Sequence, residues 1–181
     1  MGDPARQVGK PGGDAFIAVG PAVDPPAHPA GDRDFDRLFE AHALREPASD
    51  VFGEVAATAK ALGASHRPEL QAVARRLGDA LQAWVKATEW LSTEAKNGLA
   101  GPLTAAVPYL HLAVTVCGGW MMGKAALAAA GYLDKGEGDQ TFYRAKIATA
   151  HFYADQMLPQ AAAYGETVRA GNAALAGIGD E

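Results

Sequence analysis

The stretch that decides the fold is GPLTAAVPYLHLAVTVCGGWMMGKAALAAAG, residues 101–131, which carries one formal charge, at Lys124. Apolar residues recur in it at alternating intervals of four and three, the spacing of one face of an α-helix. This first face consists of Leu103, Val107, Leu110, Val114, Cys117 and Met121. A second, adjacent face consists of Tyr109, Ala113, Val116, Trp120 and Leu127. A helix that is apolar on more than one side is either enclosed in a bundle or spans a membrane.

The rest of the chain favours the bundle. Residues 103–123 lack formal charge over about the length that a span needs, but they include Pro108, His111 and three glycines. No basic cluster flanks either end to set an orientation in a bilayer. The neighbouring segments carry heptad patterns that would have no partner if this helix lay in lipid. We therefore expect the helix to be the buried axis of a bundle, and a membrane partner is disfavoured.

Composition limits the class of protein. Of the 181 residues, 49% are hydrophobic and 20% are charged, which is ordinary for a soluble globular domain. The formal net charge of −5, without a basic face, argues against nucleic acid as a partner. Cys117 is the only cysteine, and its apolar surroundings predict a core side chain rather than a reactive thiol. One cysteine and no signal-peptide pattern predict a cytoplasmic protein.

Two parts of the chain differ in composition. Residues 1–32 are predicted to be a tail or linker, because proline and glycine recur there and interrupt both helix and strand. Residues 33–181 are predicted to form the helical domain. A short amphipathic helix is expected at residues 35–42 and is expected to end at Pro47. The next helix is expected to start at the N-cap Ser49 and to stop at Gly63.

Heptad repeats mark two further long helices. One is expected over Pro68–Lys96, with a seam of Leu70, Val73, Leu77, Ala80, Trp84, Ala87 and Leu91. The last is expected over Gln140–Arg169, capped by Asp139 and kinked at Pro159. Short loops join these helices. The predicted fold class is therefore all-α, an up-down-up-down four-helix bundle with a short extra N-terminal helix.

The sequence contains no recognisable motif of a catalytic, cofactor-binding or metal site. No Glu has a His three residues later, which argues against a di-iron centre, and phosphate-loop, dinucleotide and nucleophile-elbow motifs are missing. We therefore predict no catalytic, cofactor-binding or metal-ligating residue. Four residues are candidates for a protein interface. They are Trp90, whose alternative is a core position, and Arg144, Lys146 and His151, whose alternative is a solvated helix face.

A set of short motifs runs through the last long helices. They are Ala87-Thr-Glu-Trp-Leu, Val107-Pro-Tyr-Leu, Gly118-Gly-Trp, Ala125-Ala-Leu-Ala-Ala, Phe142-Tyr-Arg-Ala-Lys-Ile-Ala-Thr-Ala and Gln156-Met-Leu-Pro. Together they resemble the helical C-terminal extension of a bacterial acyl-CoA dehydrogenase subgroup. The resemblance covers roughly residues 49–170. The run that begins at Phe142, at its distance from the Gly-Gly-Trp motif, is the most specific part.

The resemblance implies a parent enzyme that dehydrogenates acyl-CoA with FAD, using a carboxylate of its core to take the α-proton. This chain has no β-domain pattern and lacks the Tyr-Glu-Gly-Thr stretch that accompanies the active site in many members. No catalytic or flavin-binding residue therefore carries over, and FAD is expected only in a complete family enzyme. The implied partner is a dehydrogenase core or a second copy of the chain. The alternative hypothesis is a free-standing interaction bundle with no enzymatic partner.

Overall fold

The computed structural model describes residues 41–98 and 100–171, and the side chains from residue 48 onward within those ranges. Every regular element in this part of the chain is an α-helix, so the all-α prediction is confirmed. The predicted tail at residues 1–32 lies outside the described residues, as does most of the short helix predicted at residues 35–42.

Five helices build the described domain. They are α1 (Ala41–Gly63), α2 (Pro68–Glu94), α3 (Ala100–Lys135), α4 (Gln140–Gln156) and α5 (Gln160–Ala170). Helices α2 and α3 each pack against all the others, and α4 and α5 together take the place of a fourth bundle helix. Connections of four or five residues between α1, α2, α3 and α4 favour antiparallel neighbours, which supports the predicted up-down order.

The first boundary prediction was wrong. Helix α1 runs through Pro47 and Ser49 without a break, so Pro47 does not end a helix and Ser49 is not an N-cap. A proline inside a helix has no amide hydrogen, so Pro47 cannot donate a hydrogen bond to the carbonyl of residue 43. Burial of Val55 and Leu62 farther along α1 offsets that local loss. The helix stops at Gly63, as predicted.

The last helix is broken rather than kinked, which corrects the single helix predicted over Gln140–Arg169. Pro159 has no amide hydrogen for the carbonyl four residues earlier, and its ring crowds that turn. The amide of Leu158 instead donates to the carbonyl of Tyr153, five residues back, at 3.3 Å. Residues 157–159 therefore separate α4 from α5.

The seam predicted on α2 forms the centre of the core. Its buried members are at most 7% exposed: Leu70, Val73, Leu77, Ala80, Trp84 and Ala87. Leu91, at its end, is half-buried. The facing rows of α4 and α5 are buried at Ile147, Ala150, Ala154, Ala161 and Val168. Matching apolar rows on three helices explain why these elements associate along their lengths.

Helix α3 is not enclosed on all sides, which corrects its prediction as a buried axis. Five of the six residues on the predicted first face are more than half exposed. The buried side is instead made mostly of smaller residues: Gly101, Pro102, Ala105, Leu112, Val116, Gly119, Gly123, Ala126, Ala129 and Ala130. Small residues let neighbouring helices approach the α3 backbone closely, and this packing turns the larger side chains outward.

Two glycines of the Gly-Gly-Trp motif are packing contacts, as predicted. A Cβ on Gly119 would lie 2.6 Å from a methyl carbon of Leu158, in the break between α4 and α5. A Cβ on Gly118 would overlap the ring of Tyr153, whose hydroxyl donates to the carbonyl of Thr115 at 3.1 Å. Both positions therefore exclude any side chain without rearrangement of α4 or of the break.

Candidate interaction site

The predicted interface residues of α4 do not form one basic patch. Arg144 and His151, seven residues apart, both line a surface hollow of about 590 Å³. Lys146 does not line this hollow, and its Nζ lies 5.1 Å from the ring centroid of Phe142. An ammonium over an exposed ring forms a weak cation–π contact. Arg144 and His151 therefore contribute to the hollow, whereas Lys146 lies over the separate, exposed ring of Phe142.

Charges of both signs meet in the hollow. The Nε2 atom of His151 lies 3.4 Å from one carboxylate oxygen of Asp155, whose other oxygen lies 3.5 Å from Nε of Arg76. Arg67 also lines the hollow and pairs with Asp134 through Nη2 at 2.6 Å. Since the signs alternate, the hollow does not attract an acidic surface by net charge alone. Docking of a partner on this side of α4 stays a prediction.

Trp90 lies apart from the hollow, near the C-terminal end of α2, where its ring meets the residue that follows α5. Its half-buried ring packs on the core, and two ring carbons would lie within 2.9 Å of a Cβ built on Gly171. Gly171 has a φ of 55°, a value that favours glycine. The indole is therefore engaged within the chain, and the four predicted interface residues do not converge on one surface.

No catalytic constellation lies among the described residues. That part of the chain has no group of three or more His, Cys, Asp or Glu side chains that could hold a metal ion. Burial raises the pKa of the Cys117 thiol. Burial is also the larger of two causes that raise the pKa of the Tyr153 hydroxyl, and the nearby Cys117 is the smaller. Both groups stay protonated at neutral pH, so neither is an activated nucleophile or a general base.

The sequence interpretation missed the exposed apolar side of α3. Placing the small residues inward on a helical wheel would have found it, because Gly119 and Gly123 lie on the opposite face from Leu110 and Val114. Among the described residues, α3 is the one helix long and apolar enough to cross a bilayer, and a third of its apolar window is buried. Core helices of soluble proteins share that length and composition.

Comparison with known proteins identifies the family of this bundle. The family model described as "Acetyl-CoA dehydrogenase C-terminal like" matches residues 51–178, more than two thirds of the chain. The chain belongs to that family. The acetyl-CoA dehydrogenase C-terminal like domain thus includes more than half of α1 and all of α2 to α5. The resemblance inferred from the motifs is confirmed.

One curated relative of this acetyl-CoA dehydrogenase C-terminal like chain is the 3-methylmercaptopropionyl-CoA dehydrogenase of Ruegeria pomeroyi. The two sequences are 38% identical over 93 residues. That alignment covers 51% of this chain and 16% of the relative, so the chain spans a small part of the relative's length. No solved structure matches the chain.

Proposed function

We propose that this chain is an accessory, non-catalytic bundle of an acyl-CoA dehydrogenase-like flavoenzyme, and that it serves packing and oligomerisation. The observation that carries the proposal is the family match over residues 51–178. The named activity of the Ruegeria relative supports an acyl-CoA dehydrogenase as the parent enzyme. In the proposed parent reaction, FAD-dependent α,β-dehydrogenation of acyl-CoA, the reacting groups belong to the dehydrogenase core. The proposed compartment is the cytoplasm.

The described residues do not fit a flavin. Among the described side chains, two buried donors lack a hydrogen-bond partner, Nε of Arg67 and Nε1 of Trp84. They are separated by most of the length of α2, about 25 Å at 1.5 Å per residue, so they cannot converge on one ring system. Among the other buried polar groups, the Thr88 hydroxyl bonds to the Trp84 carbonyl at 2.9 Å and to the Tyr109 hydroxyl at 2.8 Å. The second of these bonds joins α2 to α3.

The test is affinity capture of the tagged chain from its native host, followed by identification of the retained polypeptides. We expect an acyl-CoA dehydrogenase core that carries FAD, retained in fixed ratio to the chain. Arg144→Glu tests the predicted docking side of α4, with Arg75→Glu, an exposed arginine of α2, as the matched control. Capture that contains no dehydrogenase contradicts the proposal and favours the alternative, a free-standing interaction bundle.

A further inference from the structure

The exposed side of α3 carries one continuous apolar row. Leu103, Val107, Leu110, Val114 and Met121 are 54–65% exposed, and the half-buried Cys117 completes the row, which we call the α3 seam. At 1.5 Å per residue the seam extends about 27 Å along the helix. Its five exposed side chains present on the order of 500 Å² of apolar surface. That area is within the range of the largest apolar patch on a typical monomer, and such patches are often functional.

The seam's spacing and its lack of charge point to another helix as the partner. Residues repeating at intervals of four and three pack as knobs into the holes of a facing helix. Helices that lie on lipid carry several Lys or Arg residues beside the apolar face. Here Lys124 is the only formal charge between residues 100 and 133, and the chain has a net charge of −5. An anionic bilayer is therefore a poor match.

We propose that the partner is a second copy of this chain, whose α3 packs antiparallel against the first in a two-fold homodimer. The intervals along the seam, 4-3-4-3-4, are the same in either direction. Pairing centred on the level of residue 112 therefore places every seam residue opposite another. Three distinct pairings result, each occurring twice in the dimer: Leu110 faces the partner's Val114, Val107 faces the partner's Cys117, and Leu103 faces the partner's Met121. Such self-complementarity is what an isologous interface requires.

Charge distinguishes the antiparallel from the parallel pair. In the antiparallel pair, Lys124 lies level with residue 100 of the partner subunit, so the two Lys124 ammonium groups are at opposite ends of the seam. A parallel pair in register would bring these two like charges together, which is unfavourable.

The available area approaches what a stable dimer needs. Exposed small residues border the seam at Thr104, Ala106, Ala125 and Ala128. With them, the side of α3 that the pair would cover approaches the roughly 800 Å² per partner of a standard interface. The dimer rests on the oligomerisation part of the proposed function and gives that part a surface and a partner.

Light scattering coupled to size exclusion, over a range of chain concentrations, tests the dimer. We expect the wild-type chain to be dimeric, and Leu110→Asp to be monomeric with unchanged helicity by circular dichroism. Phe152→Asp is the matched control, because Phe152 on α4 is 65% exposed and lies off the seam. It should leave the dimer intact.

Disulfide trapping tests the register. In the antiparallel pair the two Cys117 residues are about 15 Å apart along the axis, too far for a disulfide, so the oxidised wild type stays uncross-linked. Val107→Cys faces the partner's Cys117 and should give a covalent dimer on non-reducing gels. Val114→Cys faces the partner's Leu110 and should not. Val107→Cys combined with Cys117→Ser should also give none.

Three results would overturn the dimer: a wild-type monomer at every concentration, a Leu110→Asp chain as dimeric as the wild type, or Leu110-dependent flotation with liposomes. Cross-linking of the wild type through Cys117 alone would overturn the antiparallel register. A monomer that still captures a dehydrogenase core refutes the dimer and leaves the proposed function standing. A dimeric chain that captures no dehydrogenase supports the dimer and contradicts the proposed function.

Discussion

The indole nitrogen of Trp120 donates a hydrogen bond of 2.9 Å to the hydroxyl of Thr58, sixty-two residues earlier in the chain. The same hydroxyl donates to the carbonyl of Glu54 at 2.9 Å. Thr58 is 8% exposed, so its side chain has little access to water. The bond ties α3 to α1 at the motif that also carries Gly118 and Gly119. The Gly-Gly-Trp sequence is therefore a junction where α3 meets α1, α4 and the break before α5.

Replacing Thr58 with valine removes the acceptor and keeps the side-chain shape. We expect Thr58→Val to lower the free energy of unfolding by about 1–3 kcal/mol, because the half-buried Trp120 donor loses its partner. Urea denaturation of Thr58→Val, Trp120→Phe and the double variant forms a cycle. A coupling free energy of about 1 kcal/mol is expected. Strictly additive effects would show that the bond does not stabilise the fold.

Gly119→Leu tests the close packing of α3 on the break between α4 and α5. The new side chain would start 2.6 Å from a methyl carbon of Leu158, which is itself 2% exposed and has little room to move. Overpacking of this kind costs about 1–3 kcal/mol and sometimes more. Thermal unfolding of the variant should show a clearly lowered Tm.

Gly131→Leu is the matched control for that substitution. Gly131 lies in the same helix, and a Cβ there would meet nothing within 4 Å. Leucine favours a helix over glycine by roughly 0.8 kcal/mol, so the control should keep or raise the Tm. Equal Tm values for Gly119→Leu and the wild type would refute the close contact with Leu158.

The α2 seam and the α3 seam show how far the apolar pattern could predict burial. In α2 the buried row also holds the largest apolar residues, such as Leu70 and Leu77, so spacing and size agree. In α3 the larger residues, such as Leu110, point outward, and Gly119 and Gly123 point inward. A pattern that weights residues by apolar size therefore predicts the wrong side of α3 to be buried. The side that is buried is the one whose small residues let neighbouring helices approach the α3 backbone closely.

The two proline predictions failed for related reasons. A proline indicates a local disturbance of a helix, but the surrounding packing decides how large the disturbance becomes. The break at Pro159 lets Leu158 reach the space above Gly119, a contact between residues 39 positions apart that no local pattern contains. The family could be predicted because its motifs are local in sequence. The exposed apolar side of α3 was not predicted, because it depends on which surfaces the other helices leave uncovered.

Asp139 caps α4, as predicted, and its loss should destabilise the bundle modestly. One carboxylate oxygen accepts from the amides of Thr141 at 2.9 Å and Phe142 at 3.1 Å. We expect Asp139→Ala to lower the free energy of unfolding by about 1 kcal/mol, and Asp139→Asn, which keeps an acceptor, to lose little. Denaturant titration measures both. Equal losses for alanine and asparagine would rule out the capping role.

Stability should fall in alkaline solution through Cys117 and Tyr153. Burial raises the pKa of Cys117 above its ordinary value of 9.0, and burial together with Cys117 raises the pKa of Tyr153 above 10.0. The native state then holds protons that the unfolded chain has lost, so this stabilisation is complete below the ordinary values. It disappears as the pH rises through the raised native values.

Denaturant titrations at about pH 8 and about pH 10 measure this loss. The wild type should lose more stability between the two conditions than Cys117→Ala, which lacks the thiol and its effect on Tyr153. The comparison uses the difference between the two pH values within each chain, so a constant effect of the missing sulfur cancels. Identical losses in both chains would exclude Cys117 as a source of the pH dependence.

The central claim is that this bundle adds packing and assembly to a flavoenzyme and performs no flavin chemistry of its own. The most direct measurement incubates the purified chain with excess FAD, removes free FAD by gel filtration, and records the visible spectrum and acyl-CoA-dependent reduction of an electron acceptor. We predict no bound flavin and no turnover. Stoichiometric flavin on the chain, or acceptor reduction that requires acyl-CoA, would contradict the account.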